Sequence, residues 1–273
     1  MVKKVRISTL GPEGTFSHEV ALKYNKNADV VFANTIRDVF ESVAQENADF
    51  GIVPVENSIA GTIGQTLDFL TLFKLKIKSE IVLPISHNLV GFCDINKIKI
   101  LYLHPQTYEQ CELFIKNNTP KAEIILTPSN GKSAEMLANS KDKNDASIIP
   151  KNAADIYNLK VLKRDVQDRN DNVTRFFVIA KIDNERTGHD KTSIAVHPRH
   201  DMPGLLYGIL GEFAKGTINL TKIESRPSKG KLGDYIFYMD LEGHKTDKHI
   251  AKSLKNIKKY ASVTILGSYP RKY

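Results

Sequence analysis

Thr174 and Arg175 stand near the front of an apolar run, DNVTRFFVIA from 171 to 180, where a buried strand has no ordinary use for a hydroxyl followed by a guanidinium. Such a pair marks either the edge of a sheet or a site. A threonine hydroxyl places one donor at a chosen point, and an arginine fork grips a carboxylate through two parallel N–H bonds. Two loops offer complementary groups: GPEGTFS, with Thr15, Phe16 and Ser17, and VENSIAGT, with Asn57, Ser58 and Thr62. Each sets small polar side chains ahead of an expected helix, where unpaired N–H groups favour negative charge. Either loop alone is equally well read as a tight turn with a helix cap; the two at equivalent ends of one sheet favour a shared anion pocket. Glu56 would be repelled by a bound dianion unless protonated or paired, so a structural role suits it as well as a chemical one. His87 and His104 are single histidines, a type more often structural than catalytic.

These residues need elements to hold them. KKVRISTL, ADFGIVPVEN, KIKILYL and DASII each read as a strand, and each is followed by a polar turn and a helical stretch. Strand then helix, repeated, predicts a parallel or mixed α/β sheet, whose ligands gather at the carboxyl ends of the strands. LANSKDKNDAS reads as a surface loop, and the polar stretch 180–193 as a domain boundary. Beyond it the order changes to βαββαβ, the ferredoxin-like unit. Its first helix, DMPGLLYGILGEFAKG, is expected to be capped by Asp201, to hold Pro203 in its first turn and to stop at Gly216. The strand within GDYIFYMDLEG alternates strictly over 235–241.

The chain's 273 residues, 41% of them hydrophobic, suffice for two domains. The formal charge of +8 is concentrated late: residues 190–273 carry 15 Lys and Arg against 8 Asp and Glu. Half of the lysines there fall in HKTDKHIAKSLKNIKKY at mixed helical positions, the pattern of a solvated face, and no nucleic-acid recognition motif accompanies them. Cys93 and Cys111 form no CxxC, and the eight histidines form no HxxxH or HExxH, so neither a disulfide framework nor a metal site is expected. No GxGxxG or P-loop points to a nucleotide cofactor. No apolar stretch reaches the roughly 18 residues of a membrane span. A cytoplasmic protein without a cofactor is the expectation.

Taken in order, GPEGTFSHEVA, GIVPVENSIAGTI with TLDFL, HPQTYEQC, NVTRFFVIA, and NLTKIESRP followed by DYIFYMDLEGH resemble the prephenate dehydratase family with its C-terminal ACT regulatory domain. The resemblance covers nearly the whole chain. It implies a bilobed, periplasmic-binding-protein-like catalytic domain over 1–183, with one lobe of about 1–80 plus 160–183, the other of about 81–159, and the pocket between them. An ACT domain over 189–273 would follow. The implied reaction expels the ring hydroxyl of prephenate as the ring carboxylate leaves as carbon dioxide, giving phenylpyruvate. Thr174 would lie at the leaving hydroxyl, Arg175 at a carboxylate and Phe176 against the pocket as packing, with Thr15, Phe16, Ser17, Asn57, Ser58 and Thr62 holding the anion. L-phenylalanine would be the feedback effector, bound through Gly204, Leu205, Leu206, Glu224, Ser225, Arg226 and Pro227; Leu205 replaces the family's usual alanine. A homodimer or homotetramer is implied. Arogenate dehydratase, whose substrate carries an ammonium in place of the keto group, and a non-catalytic sensor of small anions or amino acids remain open.

Overall fold

The computed structural model describes residues 4–200, 202–228, 230 and 233–272. The chain begins β1 (Arg6–Leu10), α1 (Phe16–Tyr24), β2 (Asp29–Ala33), α2 (Ile36–Ala44), β3 (Phe50–Asn57), β4 (Gly61–Thr62), α3 (Gly64–Phe73) and β5 (Lys76–Pro84). It continues with β6 (Asn88–Gly91), β7 (Ile100–Leu103), α4 (Pro105–Gln110), α5 (Glu112–Asn118), β8 (Glu123–Leu126), α6 (Asn130–Asn139), β9 (Asp145–Ile149), α7 (Lys151–Ile156), β10 (Val161–Lys163) and β11 (Val173–Ala180). The last elements are β12 (Asp190–Pro198), α8 (Leu205–Lys215), β13 (Leu220–Pro227), β14 (Tyr235–Glu242), α9 (Lys248–Ile257) and β15 (Ala261–Pro270).

Three sheets result among the described residues. The first has the order β2-β1-β3-β11-β5, with β4 on β3; the second runs β10-β6-β9-β7-β8; the third runs β13-β14-β12-β15. In the second sheet β7 lies parallel to β8 and β9, whereas β6 is antiparallel to β9 and β10, so the sheet is mixed. It takes in β10, beyond residue 159, where the second lobe was expected to end. Leu137–Asn139, read as part of a surface loop, form the last turn of α6.

Two compact units divide the chain: residues up to 39 with 52–62 and 82–176, and 40–51 with 63–81 and 177 onward. The division falls inside α2, β3, β5 and β11. The run after Thr174 is apolar because β11 is an interior strand, buried on both faces from Thr174 onward. A strand buried on both faces needs a continuous apolar run rather than alternation.

In the second unit the βαββαβ order is as expected. β12 and α9 show why its residues form these elements. β12 lies between β14 and β15 and is buried over Asp190–Val196, including Lys191. The Lys191 ammonium lies 3.0 and 3.2 Å from the two oxygens of Glu80 on β5, with both side chains fully buried. In α9, Ile250, Leu254 and Ile257 recur at helical spacing and enter a core with Ile194, Phe213 and Met239. Lys248, Lys252 and Lys255 face outward, the solvated face expected. Each apolar side chain so buried contributes roughly 1.5–3 kcal/mol.

Two expectations need correction here. α8 starts at Leu205, not at Pro203: Gly204 sits in the left-handed region at φ 80 and breaks the helix before it. Asp201, expected as its cap, lies outside the described residues. β14 is not half-solvated in alternation; Tyr238–Leu241 are all buried, because the strand lies between β13 and β12.

Candidate active site

Asn57 and Thr174 come from the ends of β3 and β11, neighbours in the first sheet. Asn57 Nδ2 donates to Thr174 Oγ1 at 2.8 Å and to Asn172 Oδ1 at 2.7 Å, while its Oδ1 accepts from the backbone N–H groups of Ile59 and Ala60 at 3.0 and 2.8 Å. The turn after β3 therefore fixes which way round the Asn57 amide stands. Since Thr174 Oγ1 accepts from Asn57, its own hydrogen is left to donate elsewhere. Ser58 clamps the same junction: its backbone N–H donates to the Val173 carbonyl at 2.9 Å, and its hydroxyl accepts from Val173 N–H at 3.0 Å.

Successive side chains leave a strand on opposite faces. The neighbouring pair follows that rule. Arg175, buried, has Nη1 4.0 Å from Glu56 Oε2, so the guanidinium and the carboxylate face each other as Thr174 and Asn57 do. Phe176 is buried in β11 as packing. Thr62 stands opposite Glu56 in the β3–β4 register.

The first loop is built differently. Thr15 caps α1: its hydroxyl accepts from His18 N–H at 3.2 Å and donates to the Leu10 carbonyl at 3.1 Å. That hydroxyl hydrogen is already used, so the capping role accounts for Thr15, and any anion at this loop must be met by other groups. Ser17 is buried, and Phe16 meets the edge of His87 at 5.5 Å between ring centroids. A Cβ on Gly14 would stand 3.0 Å from Ala153 Cβ, one on Gly131 would stand 2.2 Å from the Glu13 carbonyl oxygen, and Asn152 Nδ2 donates to the Thr15 carbonyl at 3.1 Å. Loop 11–15 is thus pressed against the starts of α6 and α7.

His87 links the two loops. It is 1% exposed; Nε2 pairs with Gln110 Oε1 at 2.9 Å and Nδ1 has no partner among the described residues. Burial pushes its pKa down to about 4, against the opposing Gln110 hydrogen bond, so the ring is neutral. His104 caps α4 by accepting from Gln106 N–H at 3.2 Å, and burial lowers its pKa too.

Gln110 also lines a cavity of about 230 Å³ with Ile59, Ala60, Gln106, Gln167 and Asn172. That volume lies below the roughly 300–1,000 Å³ typical of drug-sized ligand pockets and suits a small metabolite. The structure therefore joins Asn57, Ser58 and Thr174 directly, and reaches Phe16 through His87 and Gln110. Sequence reading missed Asn172, Gln106 and Gln110. Its place two residues before Thr174 sets Asn172 on the same side of the strand, but no local signal pairs it with Asn57.

In the C-terminal unit, Gly204, Leu205 and Leu206 border a second cavity of about 340 Å³ with His197, Arg199 and Phe237. Glu224, Ser225, Arg226 and Pro227 do not line it. Arg226 instead donates from Nε and Nη2 to the two oxygens of Asp68 on α3, each at 3.2 Å, and Glu224 pairs with Lys222 at 3.2 Å. No group of three or more metal-ligating side chains occurs among the described residues, and no helix among them is long and apolar enough to cross a membrane.

A mixed α/β assembly with paired amides around a threonine, followed by a βαββαβ unit, defines the class to compare. The family model described as prephenate dehydratase matches residues 7–184, and that of the ACT domain matches 199–259. The chain is 43% identical over 272 residues to the bifunctional chorismate mutase/prephenate dehydratase of Aquifex aeolicus, covering 98% of this chain and 74% of that one. It is 40% identical over 277 residues to the prephenate dehydratase of Methanocaldococcus jannaschii, covering 98% and 99%. The structure of the prephenate dehydratase from Arthrobacter aurescens in complex with L-Phe superposes with a TM-score of 0.88 at 34% identity, covering 98% of this chain and 90% of that one. The chain belongs to the prephenate dehydratase family, as its motifs led one to expect.

Proposed function

We propose that this chain converts prephenate to phenylpyruvate, releasing carbon dioxide and water, and that L-phenylalanine inhibits it through the C-terminal domain. The observation that carries this reading is the Asn57–Thr174 hydrogen bond of 2.8 Å, which leaves the threonine hydrogen to donate to the departing hydroxyl. The bond from ring carbon to hydroxyl oxygen breaks as the ring carboxylate's C–C bond gives its electron pair to the ring. One proton is taken up, making the leaving group water. Aromatisation supplies the driving force, so the residues' work is to hold the dianion and to stabilise the charge developing on a poor leaving group. A threonine hydroxyl is a weak acid, and Thr174 acts by hydrogen bonding rather than by giving up its proton. Arg175, on the opposite face of β11 beside Glu56, brings positive charge to the strand's end, and Asn57, whose amide hydrogens are already bonded, aims the Thr174 hydroxyl rather than holding the dianion.

The matches at 7–184 and 199–259 support a catalytic domain over 1–183 and a regulatory one over 189–273. The relative in complex with L-Phe supports phenylalanine as effector, with the cavity at Gly204–Leu206 as its place on this chain. Effector control of this kind involves a homo-oligomer, a dimer or a tetramer. The test is to supply prephenate to the full chain and to follow phenylpyruvate with and without phenylalanine. Turnover that phenylalanine suppresses is expected; no turnover with prephenate, but turnover with arogenate, would reassign the substrate, and binding without turnover would favour a sensor.

A further inference from the structure

Asn172 lies two residues before Thr174, on the same side of the chain as it enters β11. Its side chain is 1% exposed, yet only half of it is satisfied. Oδ1 accepts from Asn57 Nδ2 at 2.7 Å, whereas Nδ2, which carries two hydrogens, has no partner among the described residues. Turning the amide round would set one NH2 group against another, so the orientation is forced. A buried amide left without an acceptor costs roughly 1–3 kcal/mol. Folding accounts for the Oδ1 acceptor but not for the donor beside it. The residue also lines the 230 Å³ cavity, whose walls include the amides of Gln106, Gln110 and Gln167.

We infer that Asn172 has two tasks in the reaction proposed above, a reading on which this assignment rests. Its carbonyl holds the Asn57 amide on Thr174, which makes it a positioning residue for that hydroxyl. Its unbonded N–H group donates to an oxygen of the substrate dianion in the cavity. Asn57 Nδ2 has two hydrogens for three acceptors, Asn172 Oδ1 at 2.7 Å, Thr174 Oγ1 at 2.8 Å and the more distant Val173 carbonyl at 3.2 Å. Without Asn172 Oδ1, its nearest acceptor, the amide is drawn toward the Val173 carbonyl and the aim on Thr174 relaxes.

Steady-state kinetics on the full chain separate these tasks. Wild-type protein comes first: if it does not convert prephenate, the functional reading fails before Asn172 is at issue. Given an active wild type, Asn172→Asp keeps an acceptor for Asn57 but replaces the donor with a negative charge. KM is expected to rise about 10-fold to 100-fold, the worth of a hydrogen bond to a charged group, with kcat changed by less. That defect should shrink as pH is lowered and the new carboxyl is protonated, since a carboxylic O–H donates where the amide did; the uncatalysed reaction is subtracted at each pH. Asn172→Ala removes both groups and should lower kcat as well. A merely structural asparagine would lower Tm and leave KM unmoved. Kinetics of Asn172→Asp within twofold of wild type would overturn the assignment, as would a KM defect that does not change with pH.

Discussion

Thr174 Oγ1 accepts a hydrogen bond of 2.8 Å from Asn57 Nδ2, and the Asn57 amide is itself locked by the Ile59 and Ala60 N–H groups. The threonine hydrogen is thereby turned away from the protein's own amide. On this geometry Thr174→Ala lowers kcat for prephenate by about 10²-fold to 10⁴-fold, the span of a lost positioned donor. Thr174→Ser, which keeps the hydroxyl, recovers most of the loss. Turnover measured beside thermal unfolding decides it: an alanine variant of near-normal turnover would remove Thr174 from the chemistry.

His87 gives the site a pH signature. Its folded pKa, pushed down to about 4 by burial, lies below the roughly 6.5 of an exposed histidine. Above pH 6.5 both folded and unfolded chains hold the ring neutral, and stability is full. As pH falls from about 6.5 toward 4 the unfolded chain takes up the proton first, and stability falls by on the order of 3 kcal/mol, with no further loss from this group below 4. His87→Gln should remove that part of the slope. Urea unfolding at several pH values, wild type against variant, checks it; parallel curves would mean that His87 is not held neutral by the fold.

Gly131 separates steric need from helix propensity. A Cβ there would meet the Glu13 carbonyl oxygen at 2.2 Å and Pro12 Cγ at 2.9 Å, and backbone cannot step aside as a flexible side chain can. Gly131→Ala is expected to cost about 1–3 kcal/mol, the usual penalty of overpacking, and to lower activity by displacing loop 11–15. Gly211, inside α8, has open space where its Cβ would be. Gly211→Ala should therefore be neutral or stabilise by up to about 1 kcal/mol. Thermal unfolding of the two variants side by side should show opposite or clearly unequal shifts.

What the sequence made legible were residue types in unusual company. Thr174 and Arg175 stood out because a buried strand rarely opens with them, and the βαββαβ unit showed because each of its elements carries its own period and stop signal. Asn172 did not stand out, since an asparagine before a strand reads as an ordinary turn residue until its partner Asn57, 115 residues away, is known. Pro203 suggested a helix start that the left-handed Gly204 postpones to Leu205. α6 follows TPSN, whose Ser129 caps it by accepting from Lys132 N–H at 3.1 Å; the cap signal was there, but the charged stretch after it drew the reading toward a loop. Arg226 was assigned to an effector pocket by its motif, and the sequence offers no spacing from which its pairing with Asp68, 158 residues away, could be read.

That pairing makes the last prediction. Arg226 reaches both oxygens of Asp68 on α3, a partly buried bidentate pair, and the bond to Asp68 is the chief cause of the guanidinium's raised pKa. The same guanidinium lies over Gly64 at the start of that helix, where a Cβ would stand 1.9 Å from Nη1. Gly64 is therefore small so that Arg226 has room to pass, and Gly64→Ala should dislodge the arginine rather than the helix backbone. A double-mutant cycle of Arg226→Ala with Asp68→Asn, read by urea unfolding, is expected to return a coupling of about 1 kcal/mol, near the upper range for partly exposed pairs because the fork is bidentate. Repeating the cycle in the Gly64→Ala background should abolish most of that coupling. The three positions then act as one contact, and α3 is held at its start by β13 of the same unit. Coupling that survives intact in the Gly64→Ala background would show that the arginine reaches Asp68 by a path that does not cross the glycine, and would free Gly64 from this explanation.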